Sequence, residues 1–250
     1  IDLPGRWFTA RSRIFWNFGH FVHDMLSLIY YEDLGAIVPG RDKVIAPRMR
    51  IPMQEVLFRK IFEGYEIVEA PPRVALRAEE LLLPANLCGV ETFNPLAIAG
   101  LARRMRRIAA PYGGKDRFKV CVSRLDATRR WGRQTHGRDF VNEEAYETLA
   151  GKQGYRVAKV SALGPEAQFS LWANATDIVG IHGAGLINMI MMPPGGNYTE
   201  IAAAIDRCCT IRCAMAARHR VGVLENGARD LQGHLKIDLE RLEALLLDAP

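Results

Sequence analysis

The chain lacks any apolar run of the ~18–20 residues that a membrane-spanning helix needs, so no helix of its own is expected to cross a bilayer. It is also poor in cysteine. The five, Cys88, Cys121, Cys208, Cys209 and Cys213, are odd in number and have no framework spacing. That excludes a disulfide-stapled miniprotein and favours free thiols in a reducing compartment. Internal repeats and low-complexity tracts are missing too. There is no Gly-x-Gly-x-x-Gly and no Walker loop, which counts against dinucleotide oxidoreductases and nucleoside triphosphatases.

What is present describes an ordinary globular protein. The 250 residues are 49% hydrophobic and 24% charged, with a mean hydropathy of −0.04, which rules out a disordered or collagen-like chain. The length suits one large domain or two modest ones. Lys plus Arg (33) minus Asp plus Glu (28) gives +5, a balance that suits anionic partners such as phosphates, nucleic acid or an acidic membrane surface without choosing among them. The first residue is Ile1 rather than Met, as in a fragment, which leaves an upstream anchor or signal open.

The chain divides at Pro111-Tyr112-Gly113-Gly114-Lys115, a turn-forming stretch between two patterned segments. The expected domains are therefore 1–112 and 113–250. In the first, Phe18, Phe21, Val22, Met25, Leu26 and Ile29 recur at the helical period, predicting an amphipathic helix over about Asn17–Tyr31. A strand is expected at Val44–Ala46, a helix over Val56–Phe62, an extended stretch at Tyr65–Val68 and a helix over Asn94–Ala109. In the second, strands are expected at Phe118–Val122, Tyr155–Val160, Asp177–Ile181, Tyr198–Ala202 and Arg220–Leu224. Helices alternate with them: one capped by Asn142 with Glu143 and Glu144 in its first turn, then Pro165–Asn174, Gly185–Met192 and Arg207–Ala217. That alternation predicts parallel βαβ units, an α/β fold.

The strongest chemical signal is Asp177-Ile-Val-Gly-Ile-His182-Gly183-Ala184-Gly185-Leu186, an apolar strand running into a small-residue turn and a helix. Backbone N–H groups at such a helix start can face an anion, and glycines permit close approach. A tight turn that needs glycine for backbone reasons alone is the alternative. Glu200 ends the next strand, where it either overlooks the same cleft and accepts ribose hydroxyls or is an ordinary surface carboxylate. Arg124 closes the first strand of this half, and Arg129, Arg130, Arg133 and Arg138 follow in a loop that suits bidentate phosphate recognition or a solvated surface. In the first half, Asn17, His20, Asp24, Ser27 and Tyr31 form a polar stripe at helical spacing. His20 and Asp24 are an i,i+4 pair in which the carboxylate can orient the imidazole and raise its basicity. His23 lies beside the stripe and ranks below His20. Arg103, Arg104, Arg106 and Arg107 oppose Leu101, Met105 and Ile108, giving a basic amphipathic face for solvent or an anionic membrane. Cys208, Cys209 and Cys213 with His219 offer metal-ligand types, but no Cys-x-x-Cys supports a site, and the segment reads as a helix with a small buried face.

Taken together these motifs resemble glycosyltransferase family 61. The residues that carry the likeness are Asn17-Phe-Gly-His20-x-x-x-Asp24, Ser123-Arg124 with Arg129-Arg130, Asn142-Glu143-Glu144, and Val179-Gly-Ile-His182-Gly-Ala-Gly-Leu-x-Asn188 followed by Glu200. The resemblance implies a GT-B-like architecture, two Rossmann-like domains facing across a cleft, with a nucleotide-sugar held mainly by the C-terminal one. It also implies inverting, metal-independent transfer to a hydroxyl acceptor, in surface or capsular polysaccharide or other glycan synthesis. Absence of an Asp-x-Asp at a strand end agrees with no metal and no cofactor beyond the substrate. Trp131–Val141 separate the Arg pair from Asn-Glu-Glu, so the phosphate-facing arginine is Arg130 or Arg138. The first domain is short for a full GT-B half, as a missing N-terminal segment or a trimmed variant would make it.

The expected donor contacts are thus Arg124, Arg130, His182, Gly183, Ala184, Gly185, Leu186, Asn188 and Glu200. His20, supported by Asp24, is the expected general base, with Asp24 itself as the nearest variant. Expected partners are a nucleotide-sugar donor and a glycan or other hydroxyl acceptor, with no nucleic acid. A cytoplasmic setting with peripheral contact to an anionic membrane completes the expectation. The rival from another class is a non-catalytic nucleotide- or nucleic-acid-binding protein that uses the same arginines, distinguished by a steep loss of affinity with salt.

Overall fold

The computed structural model describes residues 1–71, 73–88, 92–125, 140–203, 209–225 and 234–247. The chain forms two compact units, Ile1–Ile108 and Ala109–Pro250. The division comes four residues before the one expected from sequence. The Ala110–Tyr112 turn joins the second unit, where the Tyr112 ring stacks on Phe169 at 5.2 Å.

The first unit is built on β1 (Asp2–Thr9), β2 (Lys43–Pro47), β3 (Glu66–Ala70) and β4 (Arg77–Leu82), all parallel, in the order β3-β2-β1-β4. Two of these strands, β1 and β4, are not foreshadowed by the sequence pattern. β1 carries Pro4-Gly5, which looks like a turn, but the sheet absorbs it as an irregularity between Leu3 and Arg6. The expected Asn17–Tyr31 helix is a broken one: α1 (Phe18–His20), a π turn over Phe21–Met25, a 3₁₀ turn over Leu26–Ile29 and α2 (Tyr30–Asp33). Its apolar residues Phe21, Val22, Met25, Leu26 and Ile29 are all buried. α3 (Pro52–Ile61) and α4 (Pro95–Ala109) complete the unit.

From β3 to β4 the chain must return to the other edge and the other end of the sheet in only six residues, 71–76. Six extended residues reach about 20 Å, which allows the crossing but leaves no length for the usual crossover helix. The face under that crossing holds a small apolar cluster, Leu3, Trp7 and Ile45 with Val68, Ala70, Leu76 and Ala78 packed against it.

The second unit has β5 (Phe118–Val122), α5 (Glu143–Lys152), β6 (Tyr155–Ala158), α6 (Pro165–Asn174), β7 (Ala175–Ile181), β8 (Asn197–Ala202), α7 (Cys209–Ala216), β9 (Arg220–Glu225) and α8 (Leu239–Leu247). Its parallel strands run β6-β5-β7-β8-β9, the 2-1-3-4-5 order of doubly wound sheets, whose order reverses between β5 and β7. On one face Cys121, Tyr146, Val179, Ile201 and Leu242 form the core. Burial pushes the Cys121 thiol up to about 12, so it packs as a small apolar group. Asn142 does not cap α5 as expected. Its side chain makes no capping bond; instead its Nδ2 donates to Ile237 O at 2.9 Å and its Oδ1 accepts from Ile237 N at 2.8 Å, tying the start of α5 to the segment before α8.

Candidate active site

In the first unit the chemistry gathers on the π turn. Asn17 caps α1 by accepting from Gly19 N at 3.0 Å. One turn on, Asp24 Oδ2 lies 2.9 Å from His20 Nδ1, and Asp24 Oδ1 lies 2.5 Å from His23 Nδ1. Ser12 Oγ, from the loop after β1, donates to Asp24 Oδ2 at 3.2 Å. Asp24 is thus a buried carboxylate shared by two imidazoles whose ring centres are 4.8 Å apart. Burial pushes its pKa up, but hydrogen bonds from His20 and His23 and their positive charge outweigh it and hold Asp24 below the ordinary carboxylate value. With Nδ1 donating to Asp24, the neutral His20 ring is left with Nε2 as an acceptor.

His20 and His23 differ in access. The His20 side chain is 22% exposed and that of His23 only 4%. His20 can therefore meet a substrate, whereas His23 holds Asp24 from behind. The polar stripe alone does not reveal that role for His23; its i,i+3 spacing from His20 is the sequence signal that points to it. Elsewhere on the stripe, Ser27 Oγ donates to Asp24 O at 3.3 Å, and Tyr31 Oη accepts from Ala85 N at 3.0 Å. Ligand atoms of His20, His23 and Asp24 lie within 4.8 Å of one another, so this trio could hold a divalent cation. It is the one such group among the described residues. His219 does not join the cysteines as a ligand: it is buried, with Nε2 3.0 Å from Met189 O. Cys208 lies outside the described residues.

In the second unit the loops at the carboxyl ends of β5 and β7 meet at the point where the strand order reverses. Arg124 follows β5, and its Nη1 donates to His182 O, after β7, at 2.9 Å. The guanidinium lies directly over the glycine turn: a Cβ built on Gly183 would stand 3.6 Å from Arg124 Nε. Ala184–Met191 follows as a 3₁₀ helix, where the sequence reading expects a helix over Gly185–Met192. Its tighter wind lets Leu186 drop onto the strand, where a Cβ on Gly180 would come within 2.5 Å of Leu186 Cδ2. A side chain at 180 would require Leu186 to move. Leu186 and Asn188 are each 1% exposed, so they support the turn from below.

Glu200 stands differently from the expectation. It is 1% exposed, and both oxygens are engaged inside the protein. Oε1 pairs with His182 Nδ1, while Oε2 accepts from Tyr198 Oη and from Thr210 Oγ1, the latter at 2.7 Å. A carboxylate so enclosed fixes the His182 ring and its tautomer and leaves nothing for a ribose. The Tyr198 hydroxyl is held well above its ordinary pKa by burial and by the Glu200 charge beside it, so it stays a donor. Arg129, Arg130, Arg133 and Arg138 lie outside the described residues. Of the basic face on α4, Arg104 is committed within the protein, bridging Glu32 and Asp33 at 2.8 Å each. A cavity of about 510 Å³, lined by Arg117, Lys119, Asp177, Asn197 and Arg220 among others, sits at the amino ends of the strands, away from the glycine turn.

Comparison with known proteins supplies a family. The family model Glycosyltransferase 61 matches residues 18–200, a span that starts at α1 and ends on Glu200. The chain belongs to glycosyltransferase family 61. Comparison with curated proteins gives no match. Family membership makes it a glycosyltransferase, with a donor and an acceptor as its substrates. Among the described residues no helix is long and apolar enough to cross a membrane.

Proposed function

We propose that this chain is an inverting, metal-independent glycosyltransferase that moves a sugar from a nucleotide-sugar to a hydroxyl acceptor, its two units acting as the halves of a GT-B enzyme. The observation that carries the reading is Arg124 lying over the Gly183 turn, where the strand order of a doubly wound sheet reverses. Such sheets bind ligands at that place, outside the carboxyl ends of the strands. Backbone N–H groups of Gly183–Gly185 and the Arg124 guanidinium would receive the diphosphate, with a loop arginine, Arg130 or Arg138, as second cation. His182, fixed by Glu200, would offer Nε2 to the donor. Leu186 and Asn188 serve by shaping the turn.

In the reaction, His20 Nε2 accepts the acceptor's hydroxyl proton while that oxygen bonds to the anomeric carbon. The bond from that carbon to the diphosphate oxygen breaks, and the nucleoside diphosphate leaves with the electron pair. One direct displacement inverts the anomeric configuration. Asp24 stabilises the imidazolium formed on His20. Preorganised charge at the glycine turn offsets the leaving group's charge without a metal. A cytoplasmic enzyme of surface-polysaccharide synthesis with peripheral membrane contact is the setting that fits this reading.

A panel of nucleotide-sugars scored by thermal shift tests it. A donor at ~100 times its dissociation constant should add about 2.7 kcal/mol of stability, and turnover should survive EDTA. Loss of turnover on chelation, with recovery in Mn²⁺ or Mg²⁺, would turn His20, His23 and Asp24 from a base with its supports into a metal site.

A further inference from the structure

The first unit carries a second feature beside the His20–Asp24 pair, a cavity of about 440 Å³ at the carboxyl ends of β1, β2 and β3. That volume is within the range of small-molecule sites. Its floor is the sheet face left without a crossover helix, and Ala70, Pro71, Val74 and Leu76, from β3's end and the short crossing, form a wall. The lining is apolar, including Ile45, Leu81 and Leu83, except for Thr9 and two arginines, Arg11 and Arg73. No carboxylate lines it, and neither arginine has a carboxylate partner among the described residues.

The cavity and the base share one stretch of chain. Thr9 and Arg11 line the cavity, and Ser12, the next residue, bonds Asp24 Oδ2 at 3.2 Å. Building on the transferase reading, we infer that this cavity holds the acceptor, and that the acceptor is amphiphilic, with an alkyl or aryl body and an anionic group. The body lies along Ile45, Val74, Leu76 and Leu81, the anionic group meets Arg11 and Arg73, and the hydroxyl is delivered to His20. An acceptor made of sugar alone would leave this apolar lining in contact with water. A phosphate or carboxylate would pair with two exposed cations that no acid among the described residues neutralises.

Calorimetry with three probes tests this: octyl phosphate, octyl glucoside and inorganic phosphate. Octyl phosphate should bind at least tenfold tighter than either of the others. Shortening its chain by two methylenes should weaken it roughly tenfold, since each buried methylene is worth about 0.8 kcal/mol. Arg11→Ala combined with Arg73→Asn should remove the preference for the anion; asparagine suits the positive φ of 64° at residue 73. Leu81→Asp should remove the dependence on chain length. Nucleoside diphosphate affinity, measured on the same samples, checks that each variant is folded. Binding of octyl phosphate no tighter than inorganic phosphate, or unchanged by these variants, would overturn the inference. So would a wild-type dimer by light scattering that Leu81→Asp dissociates while no probe binds, because a second copy would then fill the cavity. If nucleotide-sugars bind and turn over while octyl phosphate is ignored, this inference falls and the transferase reading stands. If octyl phosphate binds as expected but no nucleotide-sugar binds, the transferase reading falls, and with it the acceptor role.

Discussion

Each unit contains a histidine bonded through Nδ1 to a carboxylate, yet the two pairs sit in opposite surroundings. Asp24 is held by two imidazoles and a serine on an irregular helix, and its His20 partner is 22% exposed. Glu200 is 1% exposed within the interior strand β8, with His182, Tyr198 and Thr210 all directed at it. The first pair leaves a ring nitrogen accessible and lets the carboxylate respond to a proton arriving on that ring, as a base requires. The second encloses its charge and fixes a ring beside a glycine turn and an arginine, as a binding wall requires. In the proposed reading the same two residue types serve proton transfer in one place and rigidity in the other. Both carboxylates are buried; what differs is the donor set, two imidazoles and a serine at Asp24 against one imidazole and two hydroxyls at Glu200.

Substitutions can break that contrast. The largest effect is expected at His20: His20→Ala should lower kcat by ~10²–10⁴-fold while nucleoside diphosphate affinity by calorimetry stays near wild type. At the other pair the loss should be in folding. Glu200→Ala leaves a partly buried imidazole and two buried hydroxyls without their acceptor and should cost about 3–5 kcal/mol in urea unfolding. Arg124→Ala should reduce nucleoside diphosphate affinity by roughly 1.5–3 kcal/mol, the loss of a charge-assisted bond. The smallest effect concerns pH. Because Asp24 titrates below 3.8, its pairing with His20 and His23 stabilises the fold above about pH 4 and is lost as pH falls through the lowered value. Urea midpoints of wild type and Asp24→Asn should differ near pH 7, and the gap should narrow as pH falls below the ordinary carboxylate range.

Much of the second unit is legible in the sequence because its strands alternate with helices at regular spacing, and β5 matches its expected limits. The first unit is harder. β1 is interrupted by Pro4-Gly5, and β4, with the sequence Arg-Ala-Glu-Glu-Leu-Leu, has no clean alternation because its edge position exposes one face. The site is legible as residue types but not as partnerships. Spacing pairs His20 with Asp24, which are neighbours on a helix. It cannot place Arg124 over Gly183, nor enclose Glu200 with Thr210, since those contacts join elements through the sheet order. For the same reason Glu200, read from sequence as a strand-end carboxylate, looks available to a ribose when it lies within β8 and both its oxygens are already bonded.

The central claim separates a base in one unit from a donor wall in the other. Calorimetry of wild type, His20→Ala and Arg124→Ala with UDP and GDP, run beside turnover of the matching nucleotide-sugar, tests it most directly. The account predicts that His20→Ala binds the diphosphate like wild type but scarcely turns over, while Arg124→Ala loses both. Loss of diphosphate binding in His20→Ala as severe as in Arg124→Ala would contradict it, for His20 would then belong to the donor site.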